Sequence, residues 1–253
     1  MPFRNYKPVN SHHLLVSLPS HDEVFSHLSS LATLAAAVPA VTRGVALRQR
    51  EPSQKQRSHF KKPSSNVTET QYSGNWAGVV QIGNGYNHVQ GTIVVPRVSG
   101  GADSAASAWV GIDGDTCQSA ILQTGVSFYG DGSFDAWYEW IPDYSYSFSG
   151  IDISVGDSVK MYVDASSKTG GVAVLENLTT GQKVQHTFTS PPSTLCETNA
   201  EWIVEDFQSG NSQVPFADFD TITFTDASAS GSQGSITPSG GTVIDLRTKR
   251  VRF

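Results

Sequence analysis

The stretch "SAILQTGVSFYG", residues 119–130, predicts a β-strand and decides the fold class. Together with ten similar stretches after Tyr72, it gives about eleven short strands separated by Gly, Asn, Asp or Pro. Among the others are "NWAGVVQIG", "SAASAWVGID", "FDAWYEWIP", "EWIVEDF" and "GTVIDL". No stretch of this region makes a convincing helix. The pattern predicts an all-β fold, either an antiparallel two-sheet β-sandwich of the jelly-roll or concanavalin-like type or a closed barrel.

Gln123 is the unusual residue of the opening stretch, because it follows the apolar residues Ala120, Ile121 and Leu122. A neutral amide inside a strand costs free energy unless its oxygen and its nitrogen both find partners. The same amide can donate a hydrogen bond to a developing negative charge, and unlike histidine it does not change charge in the acid range. Gln123 is therefore a candidate catalytic residue as well as a structural one.

Charge is divided unevenly along the chain. Residues 1–70 hold nine Lys or Arg against four Asp or Glu, whereas residues 71–253 hold eight against nineteen. An acidic body with so few cations cannot neutralise a run of phosphates, so nucleic acid is excluded as its partner. The carboxylates repel one another less as the pH falls, which favours acid working conditions.

The first 70 residues predict processing segments that precede the folded domain. Residues 1–27 form an extension of unassigned role. Residues 28–42 hold a short apolar run with small residues at its end, typical of a secretory signal, with an ordinary helix as the alternative. Residues 43–70 are polar and basic, as in a disordered linker or a removable pro-segment. Residues 71–253 then form one domain, and no stretch of the sequence is long and apolar enough to span a membrane.

Carboxylates and amides are the chemical groups that the acidic body offers. Five of the seven histidines lie before residue 71. The other two, His88 and His186, lack the spaced partners that a metal site or a serine-type triad needs. No glycine-rich phosphate loop occurs. The sequence therefore predicts neither a metal nor a cofactor.

Two predicted strands carry acids beside large rings. In "NAEWIVEDF", alternation places Glu201 and Glu205 on one face, and in "WYEW" it places Trp137 and Glu139 together. Aromatic grooves with acids suit extended polymers, but solvated edge acids and ordinary core packing give the same patterns. A glutamate among apolar neighbours has a raised pKa and can act as a general base on water, and an amide such as that of Gln123 can stabilise the resulting oxyanion.

Six motifs closely resemble those of the fungal glutamic peptidases, the eqolisin or G1 peptidase family, in order and spacing. They are "NWAGVV", "AWVGIDGDTCQSAILQTG", "YGDGSFDAWYEWIPD", "LENLTTGQKV", "CETNAEWIVEDF" and "VPFADF". The resemblance implies a β-sandwich of two seven-stranded antiparallel sheets in a secreted, acid-active endopeptidase that acts on polypeptides. It also implies a basic pro-segment, which we expect to inhibit the enzyme, and a chain without cofactor that we expect to be monomeric.

The resemblance also assigns the site residues. Matched by motif, the catalytic glutamine of the family falls on Gln123 and its catalytic glutamate on Glu205. The implied mechanism makes Glu205 the general base on water and then the acid toward the leaving amine, while Gln123 stabilises the oxyanion. The residues expected to line the substrate cleft are Trp76, Trp109, Asp113, Trp137 and Glu139.

Two other functions stay open on the residues alone. A jelly-roll glycoside hydrolase would use Glu139 and Glu205 as paired carboxylates on either side of a sugar bond. A non-catalytic carbohydrate-binding module would use the aromatic residues as platforms. Gln123 distinguishes the three functions, because only the peptidase depends on it.

The remaining expectations concern covalent features and the end of the chain. Cys117 and Cys196 are either bonded, which closes a long loop, or two buried thiols, and the resemblance implies a disulfide. Asn66 and Asn177 lie in Asn-X-Thr sequences and would accept glycans in a secreted protein. Four Lys or Arg in the last seven residues fall where the family usually continues into a further strand, so we expect one edge strand to be missing.

Overall fold

The computed structural model describes residues 14–17, 56–61, 63–65 and 71–247, and every regular element in this part of the chain is a β-strand. Numbered along the chain, the strands are β1 Leu14–Ser17, β2 Gln56–Arg57, β3 Pro63–Ser65, β4 Gln71–Ser73, β5 Trp76–Ile82, β6 Tyr86–Val94, β7 Ala105–Ile112, β8 Ile121–Tyr129, β9 Phe134–Ile141, β10 Tyr146–Ser147, β11 Ser158–Ser167, β12 Gly170–Asn177, β13 Gln182–Phe188, β14 Asn199–Glu205, β15 Gln208–Ser209, β16 Ser212–Gln213, β17 Thr221–Gly231, β18 Gly234–Ile236 and β19 Thr242–Leu246. Among the described residues no helix is available to cross a membrane.

Two large sheets share one apolar core. The seven-stranded sheet has the order β1-β17-β6-β11-β12-β13, with β18 paired to β17, and the nine-stranded sheet has the order β10-β9-β8-β7-β14-β5-β19-β4-β3. Paired strands are antiparallel, except that β19 and β4 run parallel. The predicted antiparallel β-sandwich is thus confirmed, whereas the expectation of seven strands in each sheet is wrong for the larger sheet.

Part of the extra structure comes from the basic segment at residues 43–70. Strand β3 pairs with β4 at the edge of the nine-stranded sheet, and β2 pairs with β15 in a separate three-stranded sheet. The prediction of disorder is therefore wrong for residues 56–61 and 63–65, because their main chain hydrogen-bonds to the body of the domain. Within residues 1–70, only β1 and the two ranges just named are described. Residues 28–42 and the rest of this region lie outside the described residues.

The strand at the end of the domain is not missing from the sheet. Strand β19, which corresponds to the predicted strand "GTVIDL", pairs with β5 on one side and with β4 on the other. Strands β4 and β3 continue the sheet beyond β19, so β19 is not an unpaired edge. Residues 248–253, where the family has a further strand, lie outside the described residues.

The central strands of the nine-stranded sheet are buried on both faces. Leu122, Val126 and Phe128 of β8 project into the core between the sheets, and Trp202 and Val204 of β14 join them. Side chains alternate along a strand, so the intervening residues project from the outer face of the sheet. All nine residues of β8 and all seven of β14 are buried, which shows that this outer face is covered as well.

Candidate active site

The outer face of the nine-stranded sheet, which we call the cleft face, carries both predicted catalytic residues. Glu205 of β14 lies opposite Ser107 of β7, and Gln123 of β8 lies opposite Gly111 of the same β7 strand. Ser107 and Gly111 are four positions apart, so both pairs project from one face. The other predicted cleft residues in register on this face are Trp76, Trp109, Trp137 and Glu139.

Glu205 is fully buried and held through both carboxyl oxygens. Its Oε2 accepts a hydrogen bond from Nε1 of Trp109 at 3.0 Å. Its Oε1 accepts from the main-chain nitrogen of His59 at 3.1 Å and from Nδ2 of Asn75 at 3.3 Å. Burial raises the pKa of Glu205 to about 7, although these hydrogen bonds favour the charged form and oppose the increase.

Gln123 is fully buried beside a carboxyl group. Its Nε2 donates a hydrogen bond of 2.7 Å to Oε2 of Glu139, which lies directly opposite on β9. Among the described residues, Oε1 of Gln123 has no hydrogen-bond partner. Because an amide nitrogen carries two hydrogens, the bond to Glu139 fixes the orientation of the side chain and leaves a second N–H for another acceptor.

The indole of Trp109 connects the surroundings of the two residues. Its Nε1 binds Glu205, while a Cβ built on Gly111 would lie 3.0 Å from Cζ3 of Trp109 and 3.2 Å from Cβ of Gln123. A Cβ at Gly125 would lie only 2.6 Å from Cβ of Trp109. Because Gly111 and Gly125 have no side chains, the indole of Trp109 has room beside Gln123. The other end of the same indole reaches the carboxylate of Glu205.

Aromatic rings form the apolar part of the cleft face. Trp76 contacts Trp109 edge to face, with ring centroids 5.0 Å apart and an interplanar angle of 78°. Trp137 belongs to the same buried cluster, which also includes Ile121 and Ile203. The grouping confirms that alternation along β9 and β14 separates these residues from the core between the sheets.

Comparison with known proteins identifies the family to which this arrangement belongs. A family model described as Peptidase A4 family matches residues 74–252, which is more than half of the chain. The chain belongs to the Peptidase A4 family. It is a glutamic-type endopeptidase, which confirms the resemblance to the fungal eqolisins and disfavours the glycoside hydrolase and carbohydrate-binding alternatives.

Relatives within the Peptidase A4 family align with most of the domain. The chain is 54% identical over 204 residues to Aspergillopepsin-2 of Aspergillus niger, with 71% of this chain and 72% of the relative covered. It is 52% identical over 179 residues to Scytalidopepsin B of Scytalidium lignicola, with 68% and 69% covered.

Solved structures of Peptidase A4 relatives share the fold. Scytalido-glutamic peptidase with a transition state analog inhibitor has a TM-score of 0.68 at 49% identity, with 70% of this chain and 89% of that chain covered. The aspergilloglutamic peptidase from Aspergillus niger has a TM-score of 0.56 at 59% identity, with 58% and 88% covered.

Asp113 has a structural role in this member of the Peptidase A4 family. Its Oδ2 accepts from the main-chain nitrogens of Cys196 at 2.7 Å and Glu197 at 2.8 Å, and its Oδ1 accepts from those of Thr198 at 2.8 Å and Asn199 at 3.2 Å. Four N–H groups satisfy the buried carboxylate, so no acceptor is left for a substrate. The prediction that Asp113 lines the cleft is corrected accordingly: it fixes the chain that leads into β14.

A disulfide joins the same region. Cys117 and Cys196 are bonded, which confirms the pairing that the family resemblance implied. Asp113 lies close enough to both sulfurs to suggest a shared ion. The group does not suit a metal, because the sulfurs are bonded to each other and the carboxylate accepts four N–H groups.

Residues 56–61, which we call the cleft segment, lie against the cleft face. Gln56 and Ser58 are buried, and the main-chain nitrogen of His59 contacts Glu205 as described above. Phe60 packs against the tryptophan cluster. Lys61 forms an ion pair with Asp115, which lies in the turn between β7 and β8. The basic leader thus has its own place in the catalytic region.

Asn75 was absent from the sequence predictions, and Glu201 was placed on the face of Glu205 but given no role. Asn75 donates to Glu205 and also to the main-chain oxygen of His59 at 3.2 Å, although its position directly before Trp76 in the "NWAGVV" motif was a usable signal. Glu201 accepts from the main-chain nitrogen of Asp115 at 3.1 Å. Burial, together with the neighbouring aspartates, raises its pKa well above the usual range.

The predicted glycosylation sites have different outcomes. Asn177 is fully buried, and its Nδ2 donates to the oxygen of Asp152 at 2.9 Å and to Oδ2 of Asp157 at 2.8 Å. Its Oδ1 accepts from the nitrogen of Thr179 at 3.0 Å. A glycan on this nitrogen would break the folded structure, so the prediction for Asn177 is wrong. Asn66 lies outside the described residues.

Proposed function

We propose that the chain is an acid endopeptidase in which Glu205 is the general base and Gln123 stabilises the oxyanion. The observation that carries the proposal is the position of both residues on one buried face, on either side of the Trp109 indole. Each side chain is restrained by a hydrogen bond, Glu205 by Trp109 and Gln123 by Glu139. Catalytic groups that are held in this way need little reorganisation during the reaction.

The reaction first uses the carboxylate of Glu205 and then the N–H donor of Gln123. Ionised Glu205 takes a proton from water, and the water oxygen forms a bond to the carbonyl carbon of the substrate. The second N–H of Gln123 donates to the oxygen that becomes negative. Glu205 then returns the proton to the leaving nitrogen as the C–N bond breaks, which regenerates the carboxylate.

The cleft segment is the inhibitor in this proposal. It occupies Oε1 of Glu205 through the nitrogen of His59, and it covers the tryptophan cluster with Phe60. While it is in place, burial keeps the pKa of Glu205 at about 7, so the carboxyl is protonated in acid and cannot accept a proton from water. Displacement of the segment admits water to the cleft and returns the carboxyl toward its ordinary pKa.

Ion pairing contributes to this inhibition at one described position. Lys61 pairs with Asp115, and this attraction between opposite charges is weakened by added salt. The basic charge of residues 43–62 is expected to favour docking near neutral pH and release in acid. This change must exceed the opposing effect of Glu205, because protonation of its carboxyl favours the docked segment.

Secretion fits the same function. The Cys117–Cys196 disulfide persists in oxidising compartments, and residues 28–42 have the composition of a secretory signal. The expected monomer stays a prediction. The acidic body, with nineteen Asp or Glu against eight Lys or Arg, suits an acid extracellular environment.

The test is digestion of a denatured protein at acid pH by four variants of the full chain. We expect Gln123→Ala and Glu205→Gln to lose at least about two orders of magnitude in kcat/KM, because each removes one group that acts in the transition state. The matched controls are Gln185→Ala on the exposed side of β13 and Glu176→Gln on β12, which should retain activity. Pepstatin should not inhibit the parent.

Two outcomes would oppose the proposal. Undiminished proteolysis by folded Gln123→Ala would remove the oxyanion role of Gln123. Release of sugar from a polysaccharide that depends on Glu139 and Glu205 would instead support the glycoside hydrolase.

A further inference from the structure

The cleft segment lies along the cleft in a manner that an unrelated polypeptide could repeat. Its first residues pair as an antiparallel strand with β15, and the main-chain oxygen of Gln56 accepts from Oγ of Ser145 at 2.8 Å. Further along, Nδ2 of Asn75 donates to the main-chain oxygen of His59 at 3.2 Å. Because these contacts involve the main chain of the segment, they do not depend on its side chains.

One side chain of the segment, Gln56, enters a pocket with specific chemistry. It is only 4% exposed, and its Oε1 accepts from Oγ of Ser127 at 2.5 Å and from the hydroxyl of Tyr129 at 3.5 Å. We call these two groups the hydroxyl pocket. Ser127 and Tyr129 are alternate residues of β8 and continue the row of side chains that begins with Gln123.

The hydroxyl pocket is built from buried, supported groups. Ser127 is fully buried, and Tyr129 is 9% exposed. The ring of Tyr129 contacts Phe207 edge to face, with centroids 6.2 Å apart, and both rings belong to an apolar cluster with Ala105. This support fixes the position of the Tyr129 hydroxyl, so an entering side chain meets two hydroxyl groups in a defined place.

The chemistry of the pocket discriminates among side chains. A leucine would leave the buried hydroxyl of Ser127 without the acceptor that Gln56 supplies, and a lysine would bring a full charge into a buried pocket whose two hydroxyl groups are neutral. A glutamine supplies the acceptor without a charge, although the Nε2 of Gln56 has no hydrogen-bond partner among the described residues. When a side chain leaves a buried polar group of the site without a partner, kcat/KM for that substrate falls by a large factor. An apolar pocket discriminates more weakly between side chains.

The position of Glu205 assigns the pocket a place along a substrate. The segment nitrogen that contacts Glu205 belongs to His59, and Gln56 lies three residues before it. In the proposed reaction Glu205 donates its proton to the leaving nitrogen. A substrate that follows the path of the segment would therefore place its third residue before the cleaved bond in the hydroxyl pocket.

We infer that Ser127 and Tyr129 form a specificity subsite that selects a neutral hydrogen-bond acceptor, such as glutamine, at the third residue before the cleaved bond. The inference rests on the proposed peptidase function and adds a substrate preference to it. The cleft segment uses the same subsite when it inhibits, with Gln56 in the place of the substrate residue.

The test compares three peptides that differ only at this third residue, with Gln, Leu or Lys. Each is cleaved at acid pH by the full chain, and kcat/KM is measured for each peptide. We expect Gln to exceed Leu and Lys by about tenfold or more, which corresponds to about 1.4 kcal/mol. Mass spectrometry of the products establishes that every peptide is cut at the intended bond.

Ser127→Ala and Tyr129→Phe identify the cause of the preference. Each removes one hydroxyl, and we expect the ratio of Gln to Leu to decrease severalfold in either variant. The ratio is measured within one preparation, so a lower content of folded enzyme does not alter it. The control Ser166→Ala, on the exposed end of β11, should keep the parental ratio.

The outcomes separate the subsite from the catalytic proposal. If all three peptides are cleaved at equal rates, or if both hydroxyl variants keep the parental ratio, the subsite inference is overturned while the peptidase function stands. If no peptide and no denatured protein is cleaved, the proposed function itself fails.

Discussion

The main-chain nitrogen of His59 donates a hydrogen bond to Oε1 of Glu205 at 3.1 Å, although the two residues are 146 positions apart in the chain. Asn75 donates to the same oxygen, and Trp109 donates to the other. Three donors surround the carboxyl group that we propose to activate the attacking water. The leader therefore acts on the proposed base itself, in addition to covering the cleft.

Replacement of His59 by proline should release the cleft segment. Proline has no N–H, so His59→Pro removes the donor to Glu205, whereas His59→Ala keeps it. The docked carboxyl is protonated in acid, and a hydrogen bond between neutral groups contributes about 0.5–1.5 kcal/mol, so we expect the initial rate of the full-length chain at acid pH to increase severalfold with proline. The rate is measured on a denatured protein immediately after dilution into acid.

The alanine variant serves as the control, because it changes the side chain alone. Equal initial rates for His59→Pro, His59→Ala and the parent would show that the contact to Glu205 does not restrain the enzyme.

Replacement of Asp113 by asparagine should reduce stability and leave the affinity for substrate unchanged. The buried carboxylate accepts four main-chain N–H groups of residues 196–199, and an amide has only one oxygen for them. We expect Asp113→Asn to lower the free energy of unfolding by about 3 kcal/mol or more, measured by urea denaturation. The control Asp103→Asn, at an exposed position before β7, should change it little.

The KM of the folded Asp113→Asn enzyme decides between the two roles of this residue. A value close to that of the parent fits an anchoring residue. A stable variant with a strongly raised KM would instead restore Asp113 to the substrate cleft.

The two-sheet fold could be predicted because the pattern of short strands is local. On β14, alternation correctly placed Glu201 and Glu205 on one face and Trp202 on the other. The number of strands could not be predicted in the same way. Strands β3 and β4 are three residues long each and pair through the main chain at the edge of the sheet, so neither is long enough to show an alternating pattern.

The site was predictable only where a motif names a residue. Gln123 and Glu205 were assigned by resemblance, and the register places them on one face. The role of Asp113 depends on a turn with φ of 70° at this residue, which directs its carboxylate at the loop before β14. The cleft segment was invisible in the sequence, because its polar and basic residues resemble those of a disordered linker and its docking uses the main chain.

The raised pKa of Glu205 makes the stability of the domain depend on pH. Burial raises this pKa to about 7 from a usual value of 4.5, so the folded state binds the proton more tightly than the unfolded state. Below pH 4.5 both states are protonated and the stabilisation is complete. Between pH 4.5 and 7 the unfolded chain loses the proton first, so stability decreases by about 3 kcal/mol as the pH rises.

Glu205→Gln should remove this part of the pH dependence, because glutamine does not titrate. We expect the urea midpoint of the reference chain to decrease from pH 4.5 to pH 7 more steeply than that of the variant. Glu201, whose pKa is raised in the same direction, contributes to the slope in both proteins and cancels in the comparison.

A Gln123→Ala background in every sample prevents self-digestion. The control Glu176→Gln replaces a partly exposed glutamate on the other sheet, and this variant should keep the full slope. If the urea midpoints of Glu205→Gln and the reference chain change with pH in parallel, the carboxyl of Glu205 ionises at its ordinary pH in the folded chain. The inactivation of Glu205 by the docked segment would then need another cause.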